Sequence, residues 1–291
     1  MNRDACDIKR LMVDQSFYVA AHGVIGALYL VLAHHVWRAL GDGDAATAAA
    51  ASTDRWALPL LAIAHGALVA HGVFGEGDFR FGFALALSAT LWLTVLIVWI
   101  EGFFVPLRGL QPLVLPAAAV ALVLPLLFPG AAIAAQRGLA FKLHLLAAIL
   151  AYSLLTIAAL HAVLMAALDR RLHRGAGMAR PPGRLFRQTP SLLAMEQLMF
   201  RLIGIGFLLL TATVASGLLF SEALFGRALR FEHKTVFAIA AWLVFGGLLT
   251  GRAVFGWRGR IALRWTLIGF AMLLLAYVGS RFVLEVLLGR G

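Results

Sequence analysis

Apolar stretches of about twenty residues recur along the chain, broken by short polar or proline-rich gaps, at roughly 16–40, 57–74, 81–101, 110–128, 139–168, 196–220, 234–254 and 262–288. At ~1.5 Å of rise per residue such runs are long enough to cross a hydrocarbon core ~30 Å thick. Backbone polar groups in lipid must be satisfied within their own segment, so each run is expected as a helix. The pattern predicts an all-α, polytopic integral membrane bundle of about eight transmembrane helices. The fourth run is the least regular, because Pro106, Pro112, Pro116, Pro125 and Pro129 crowd its ends and first turns. Proline removes a backbone donor and bends a helix, so a short or broken span is expected there.

The first fifteen residues read as a polar N-terminal segment, with Arg3, Lys9 and Arg10 offset by Asp4, Asp7 and Asp14. The run that follows ends at His34, His35, Trp37 and Arg38 rather than at a small-residue cleavage site, so it is expected to be a retained first helix. Residues 16–291 then form a single transmembrane domain, and Ala45 to Ala51 reads as a small alanine-rich loop.

Composition narrows the class further. The chain has 291 residues, of which 62% are hydrophobic and 13% charged. That balance does not fit the water-exposed surface of a soluble enzyme. The net charge of +11 arises from 25 basic against 14 acidic residues, all but Lys9, Lys142 and Lys234 of the basic ones being arginine. A basic balance can indicate nucleic acid, but these arginines sit in gaps between apolar runs, where positive charge sets membrane orientation. The partner implied is the lipid bilayer, and no nucleic acid.

Arg170, Arg171, Arg174, Arg180, Arg184 and Arg187 crowd the fifth connection, and Arg252, Arg258, Arg260 and Arg264 mark the seventh. Both connections are therefore expected on the cytoplasmic side, the fifth as a basic loop at about 169–195 near anionic headgroups. Eight spans then place both termini on the extracytoplasmic side, together with Arg137, Lys142, Arg227, Arg230 and Lys234.

Little classical reaction chemistry is available. Cys6 is the single cysteine, so there is neither an internal disulfide nor a CxxC or CxxCH motif. HExxH, Walker and GxSxG patterns are absent as well. Glu101, Glu196, Glu222, Glu232 and Glu285 lie near the ends of runs, where a solvated helix terminus is the ordinary setting. Trp92, Trp99, Trp242, Trp257 and Trp265 are expected near span ends or bundle surfaces. The glycines of the sixth and seventh runs, Gly204, Gly206, Gly217, Gly246, Gly247 and Gly251, are expected to permit close helix approach.

Nine histidines remain, many for so apolar a chain. Ionisable groups at membrane depth usually face the bundle interior and carry function. On the expected topology His22, His71, His144 and His233 lie toward the outer ends of the first, second, fifth and seventh helices, His65 lies near mid-membrane, and His34, His35 and His161 lie toward the cytoplasmic side. His144 and His161 are separated by roughly 25 Å along one helix, and His65 and His71 by about 9 Å, so neither pair can ligate one ion. Any shared site must join different helices. Imidazole is a common axial ligand of haem iron, and cations such as Arg227, Arg230 and Lys234 would neutralise propionates. For any single histidine, a hydrogen-bonded packing role is the commoner outcome.

From residue 139 onward the order of features resembles a known family. The stretch from Lys142 and His144 to Tyr152 and Ser153 is followed by Glu196 and by Gly217 to Phe220. Then come Glu232-His233-Lys234, Trp242, Gly256 to Arg260, and Tyr277 to Ser280. Together these are similar to the cytochrome c assembly protein family, and within it to the YpjD and HemX-like branch of bacterial inner-membrane proteins. The resemblance implies haem as cofactor, cytochrome c maturation components as partners, and a multi-pass location in the bacterial inner membrane.

Members of the CcsA and CcmC type present haem at the outer face. His65 matches the early intramembrane histidine of the CcsA pattern and His144 its first outer one. The later intramembrane position falls at Thr250 and the last outer one at about Leu288, and the segment Phe220 to Lys234 holds no tryptophan, so the pattern is incomplete.

The resulting expectation is a protein that binds or presents haem at the outer face without a catalytic residue of its own. His144 and His65 are candidate axial ligands, and His233, His71 and His22 candidate second ligands. Arg227, Arg230 and Lys234 are candidate propionate partners. The alternative is a non-haem accessory or regulatory subunit of a transporter, partnered by another membrane protein, in which the histidines only satisfy buried hydrogen bonds. A transporter in its own right ranks third.

Overall fold

Apart from Phe81, Gly82 and Phe128 at run ends, the eight apolar runs are helical over their described residues in the computed structural model, which describes residues 3–42, 44–75, 79–104, 108–133, 138–174, 191–219, 233–283 and 286. The helices are α1 (Arg3–Asp42), α2 (Asp44–Phe74), α3 (Phe83–Glu101), α4 (Gln111–Leu127), α5 (Leu139–Arg174), α6 (Leu192–Leu219), α7 (His233–Phe255) and α8 (Arg260–Leu274). Among the described residues seven helices are long and apolar enough to cross a membrane, and α4 is a shorter apolar helix beside them. The protein is thus an all-α polytopic bundle.

Several expected boundaries move. Residues 45–51 are not a loop but part of α2, since alanine is the strongest helix former and nothing there breaks the helix. The basic loop is shorter than 169–195, for α5 continues to Arg174 and α6 starts at Leu192. Arginines in the last turn of α5 suit the negative end of its dipole. Ser191, just after Pro190, accepts the Ala194 N–H on its hydroxyl at 3.3 Å and caps α6. The remainder of that loop, with His173 side-chain detail and residues 175–190, lies outside the described residues. Helix α4 is unbroken despite Pro116 and Pro125, and its seventeen residues reach only about 25 Å.

Helix α8 passes at Leu275–Gly279 into a π-helical turn and continues through Ser280–Phe282. Tyr152 of α5 donates its hydroxyl to the Leu273 carbonyl at 2.8 Å, where this looser turn begins. An insertion into the helical ladder of this kind is a recognised cause of local π geometry.

The chain also holds a feature that hydrophobic periodicity does not signal. Strand β1 (Phe79–Phe81) pairs antiparallel with β2 (Ala131–Ile133), Arg80 opposite Ala132, and so ties the α2–α3 connection to the α4–α5 connection. This pair marks one end of the bundle, the β end. The other end holds Arg252, Arg258 and Arg260 with the C-terminus of α5, and is the arginine-rich end.

Two four-helix halves meet along α3 and α5. In the first, α1 packs on α2 and α4, and α3 on α2 and α4; in the second, α5 packs on α6 and α8, and α7 on α6 and α8. One apolar core runs through both, with Tyr29, Leu155, Met199, Ile203, Phe245 and Leu248 fully enclosed. Ser153 crosses the seam by donating to the Thr90 carbonyl at 3.0 Å.

The tryptophans bridge helices more than they mark an interface. Trp92 donates to the Ala62 carbonyl at 2.7 Å, Trp242 to the Thr211 hydroxyl at 2.9 Å, and Trp99 to the Arg55 carbonyl at 3.2 Å. Gly247 and Gly251 leave room for Trp265 and Trp257, as expected of packing glycines, whereas Gly204 faces open space.

Candidate functional site

The first half gathers three of the histidines. Helices α1 and α2 are antiparallel neighbours, so His22, early in α1, comes level with the end of α2. The Tyr18 ring stands between His22 and His71, with centroids at 4.3 and 4.9 Å. His22 is almost fully buried, and its Nδ1 donates to the Tyr18 carbonyl at 2.8 Å.

His65 sits deeper and has no solvent exposure. Its Nδ1 meets the Tyr29 hydroxyl of α1 at 3.3 Å and its Nε2 the Ser88 hydroxyl of α3 at 3.0 Å. A neutral imidazole has one donor and one acceptor, and here both are engaged. His65 is therefore a hydrogen-bonded hub joining α1, α2 and α3. Iron coordination at either nitrogen would require Ser88 or Tyr29 to let go. Neither hydroxyl was singled out by the sequence, since Tyr29 and Ser88 come from different helices and no spacing relates them to His65.

The second half holds His144 near the start of α5. Its Nδ1 lies 2.8 Å from the Ser216 hydroxyl of α6. Ser216 already donates to the Thr213 carbonyl at 3.1 Å, so Nδ1 is the donor to Ser216 and the imidazole lone pair belongs to Nε2. A ligating histidine is commonly oriented in this way through its other nitrogen.

A cleft of about 300 Å³ opens beside this turn at the β end, lined by Phe74, Phe79, Phe141, Lys142, Leu145, Leu146 and Ile149. Its walls are apolar and aromatic, with the exposed Lys142 as the cation on its lining. His144 is directed toward α6 and is not part of that lining. With the oriented imidazole of His144 turned to α6 beside it, the apolar wall and its cation suit an apolar ligand bearing carboxylates. The closed packing around His65 does not.

The other predicted residues are placed as follows. His233 and Lys234 are exposed at the start of α7, at the same end as His144. Arg227, Arg230 and the rest of 220–232 lie outside the described residues, as does Leu288. Thr250, where the CcsA pattern has its later intramembrane histidine, is exposed on α7 and faces away from the core. The structure thus brings His22, His65 and His71 into one half and His144 into the other. Among the described residues no group of three or more His, Cys, Asp and Glu side chains could hold a metal ion.

One polar site went unread in the sequence. Glu196 is not a solvated helix terminus but is buried, paired with Arg252 at 2.6 Å, and accepts the Gly259 N–H at 3.4 Å. Arg258 is 3.9 Å away, and Arg252 also lies over the Phe200 ring at 4.5 Å. A second pair, Arg260 with Asp169 at 2.8 Å, ties α8 to α5 at the same end. The signal available was the arginine run around the tight turn between α7 and α8, which sets Arg252 and Arg258 against Glu196 at the start of α6 and Arg260 against Asp169 of α5.

Comparison with known proteins agrees with this architecture. The family model described as Cytochrome C assembly protein matches residues 56–288. An uncharacterised 28.8 kDa protein of Azospirillum brasilense is 37% identical over 152 residues, covering 52% of this chain and 54% of the relative. The inner membrane protein YpjD of Escherichia coli is 35% identical over 144 residues, covering 50% and 52%. A cytochrome c biogenesis protein CcsA of Gloeobacter violaceus is 27% identical over 103 residues, covering 35% and 30%. The chain spans about half the length of the first two relatives in these matches. No solved structure matches. With the family model spanning most of the chain and the apolar helices it requires all present, this is a multi-pass bacterial inner-membrane protein that belongs to the cytochrome c assembly protein family, in its YpjD-type branch.

Proposed function

We propose that this protein handles haem in cytochrome c assembly, binding or presenting it at the outer face of the inner membrane. The observation that carries the reading is the first turn and a half of α5. There Lys142 lines an apolar cleft at the β end, and His144, two residues on and with its tautomer set by Ser216, faces α6 beside it. The arginine-rich end lies opposite, and positive charge favours the cytoplasmic side, so the β end is taken as the outer one.

In this reading His144 would hold haem iron through Nε2, the cleft residues Phe74, Phe79 and Phe141 would supply apolar cover, and Lys142 with Lys234, Arg227 and Arg230 would answer the propionates. His233, His71 and His22 would be the candidates for a second ligand. Haem bound there would supply the vinyl groups to which an apocytochrome's thiols are joined. The residues of this chain bind, orient and shield, and the maturation components that reduce and deliver the thiols are the partners. His65 joins the set only through an exchange in which Ser88 or Tyr29 releases it.

A specific observation favours a second reading. His65 is satisfied by two hydroxyls, and His22 and His161 each donate to a backbone carbonyl within their own helix. A non-haem accessory subunit would need histidines of only this kind.

The absorption spectrum of the protein, purified in mild detergent from haem-supplied cells, separates the two. A near-stoichiometric Soret band that weakens strongly in His144→Ala is expected. A featureless visible spectrum from the folded parent protein would overturn the haem reading in favour of the accessory one.

A further inference from the structure

The seam between α5 and α6 holds a buried imidazole that its surroundings leave half satisfied. His161 has no solvent exposure, and its Nδ1 donates to the Ile157 carbonyl at 3.0 Å, one turn back in the same helix. Its Nε2 has no hydrogen-bond partner. With the proton held on Nδ1, Nε2 presents a lone pair into the core. A lone pair aimed by a backbone bond to the other ring nitrogen is the arrangement adopted by metal-ligating histidines.

The register of the two helices places the neighbours of His161. Helices α5 and α6 run antiparallel, and a methyl group at Gly206 would meet Leu154 Cβ at 3.5 Å and Leu155 Cγ at 2.9 Å. Two turns farther toward the arginine-rich end the same faces carry His161 and Met199, because seven residues bring a helical side chain back to within about 20° of its starting direction. One further turn brings Met165 opposite Met195. Met165, Met195 and Met199 are all buried in the same core. Met199 Sδ lies 4.0 Å from the Thr266 hydroxyl, so α8 forms the third wall.

The donors on this seam are soft and neutral: one imidazole nitrogen and up to three thioether sulfurs. Thioether sulfur selects soft ions, Cu(I) above all, over the oxygen-seeking divalent cations. A single positive charge is also the least costly one to hold among neutral ligands in a medium of low dielectric. We propose that His161 Nε2 and Met199 Sδ, completed by the sulfur of Met165 or Met195, form a buried Cu(I) site on the α5–α6 seam. It is separate from the haem reading, since neither His144, Lys142 nor His65 takes part in it.

The test uses the full chain in detergent, stripped of metal and titrated anaerobically with the Cu(I)–bicinchoninate complex. The protein is expected to withdraw one equivalent of Cu(I) from the chelator. Met199→Leu and His161→Gln should each weaken that withdrawal by about tenfold or more while circular dichroism and elution volume stay those of the parent. His144→Ala and His65→Leu should leave it unchanged. X-ray absorption of the loaded protein should show a mixed nitrogen and sulfur shell. If His161→Gln fails to fold, Met199→Leu and Met165→Leu carry the test alone. No withdrawal by the parent, withdrawal that the methionine variants leave unaltered, or a shell of nitrogen and oxygen only, would overturn the proposal.

Discussion

The two halves of the bundle bury polar groups by different means. In α1–α4 neutral groups join the helices: Tyr29, His65 and Ser88 close on one another, and the indoles of Trp92 and Trp99 donate to carbonyls of α2. In α5–α8 the strongest polar contacts are charged and lie at one end, Glu196 with Arg252 and Asp169 with Arg260. The buried imidazole of that half, His161, is served only by its own helix. Charge in lipid is costly and is tolerated near the ends, where water and headgroups share the cost, whereas neutral groups can be satisfied at any depth. The first half is therefore cross-linked through its middle, and the second adds a charged clasp at its rim to its own neutral links.

Removing the clasp should have the largest effect. Arg252→Ala leaves Glu196, whose side chain is only 10% exposed, with Arg258 at 3.9 Å as its remaining cation. A loss of about 3 kcal/mol is expected, toward the low end for one-sided removal of a buried pair because Arg252 is itself partly exposed. Unfolding in mixed detergent micelles would measure it, and adding Glu196→Gln should restore much of the loss. A neutral Arg252→Ala would end the distinction between a clasped half and a cross-linked one.

His65→Leu comes next. It strands the Tyr29 and Ser88 hydroxyls, and interhelical hydrogen bonds in membranes average roughly 0.6 kcal/mol with a maximum near 1.7, so about 1–2 kcal/mol should be lost for the two together. The smallest effect is expected for His161→Leu in metal-free protein. That substitution removes a bond within one turn together with an unpaired nitrogen, and the two changes should cancel to within about 0.5 kcal/mol. Measured side by side in the same micelles, equal losses for the two histidines would show that the buried imidazoles are held alike, against the structure.

Much of the fold was legible along the chain. Runs of apolar residues sufficient to span a bilayer dictate helices, because lipid offers a backbone no other partner. The errors lay at boundaries, where alanines 45–51 and the arginine-bearing end of α5 are locally polar or weakly apolar yet helical. Hydropathy scores partition into lipid, while helix continuation depends on backbone propensity and capping, as at Ser191. The family resemblance read from Lys142 through Ser280 agrees with the family match. The candidate site was legible as residue types but not as an arrangement.

The sequence by itself determined the class of molecule: apolar length, arginine-bearing gaps and the order of motifs are properties of the chain that no packing can undo. Only the tertiary structure decided what each buried histidine ring touches. Whether an imidazole nitrogen meets Ser88 or Ser216, or stays unpaired as His161 Nε2 does, depends on the register of helices distant in sequence. Register is set by which side chains fit together across a contact, such as Leu154 and Leu155 against Gly206, and a hydrogen bond made between two helices leaves no periodic trace in either one.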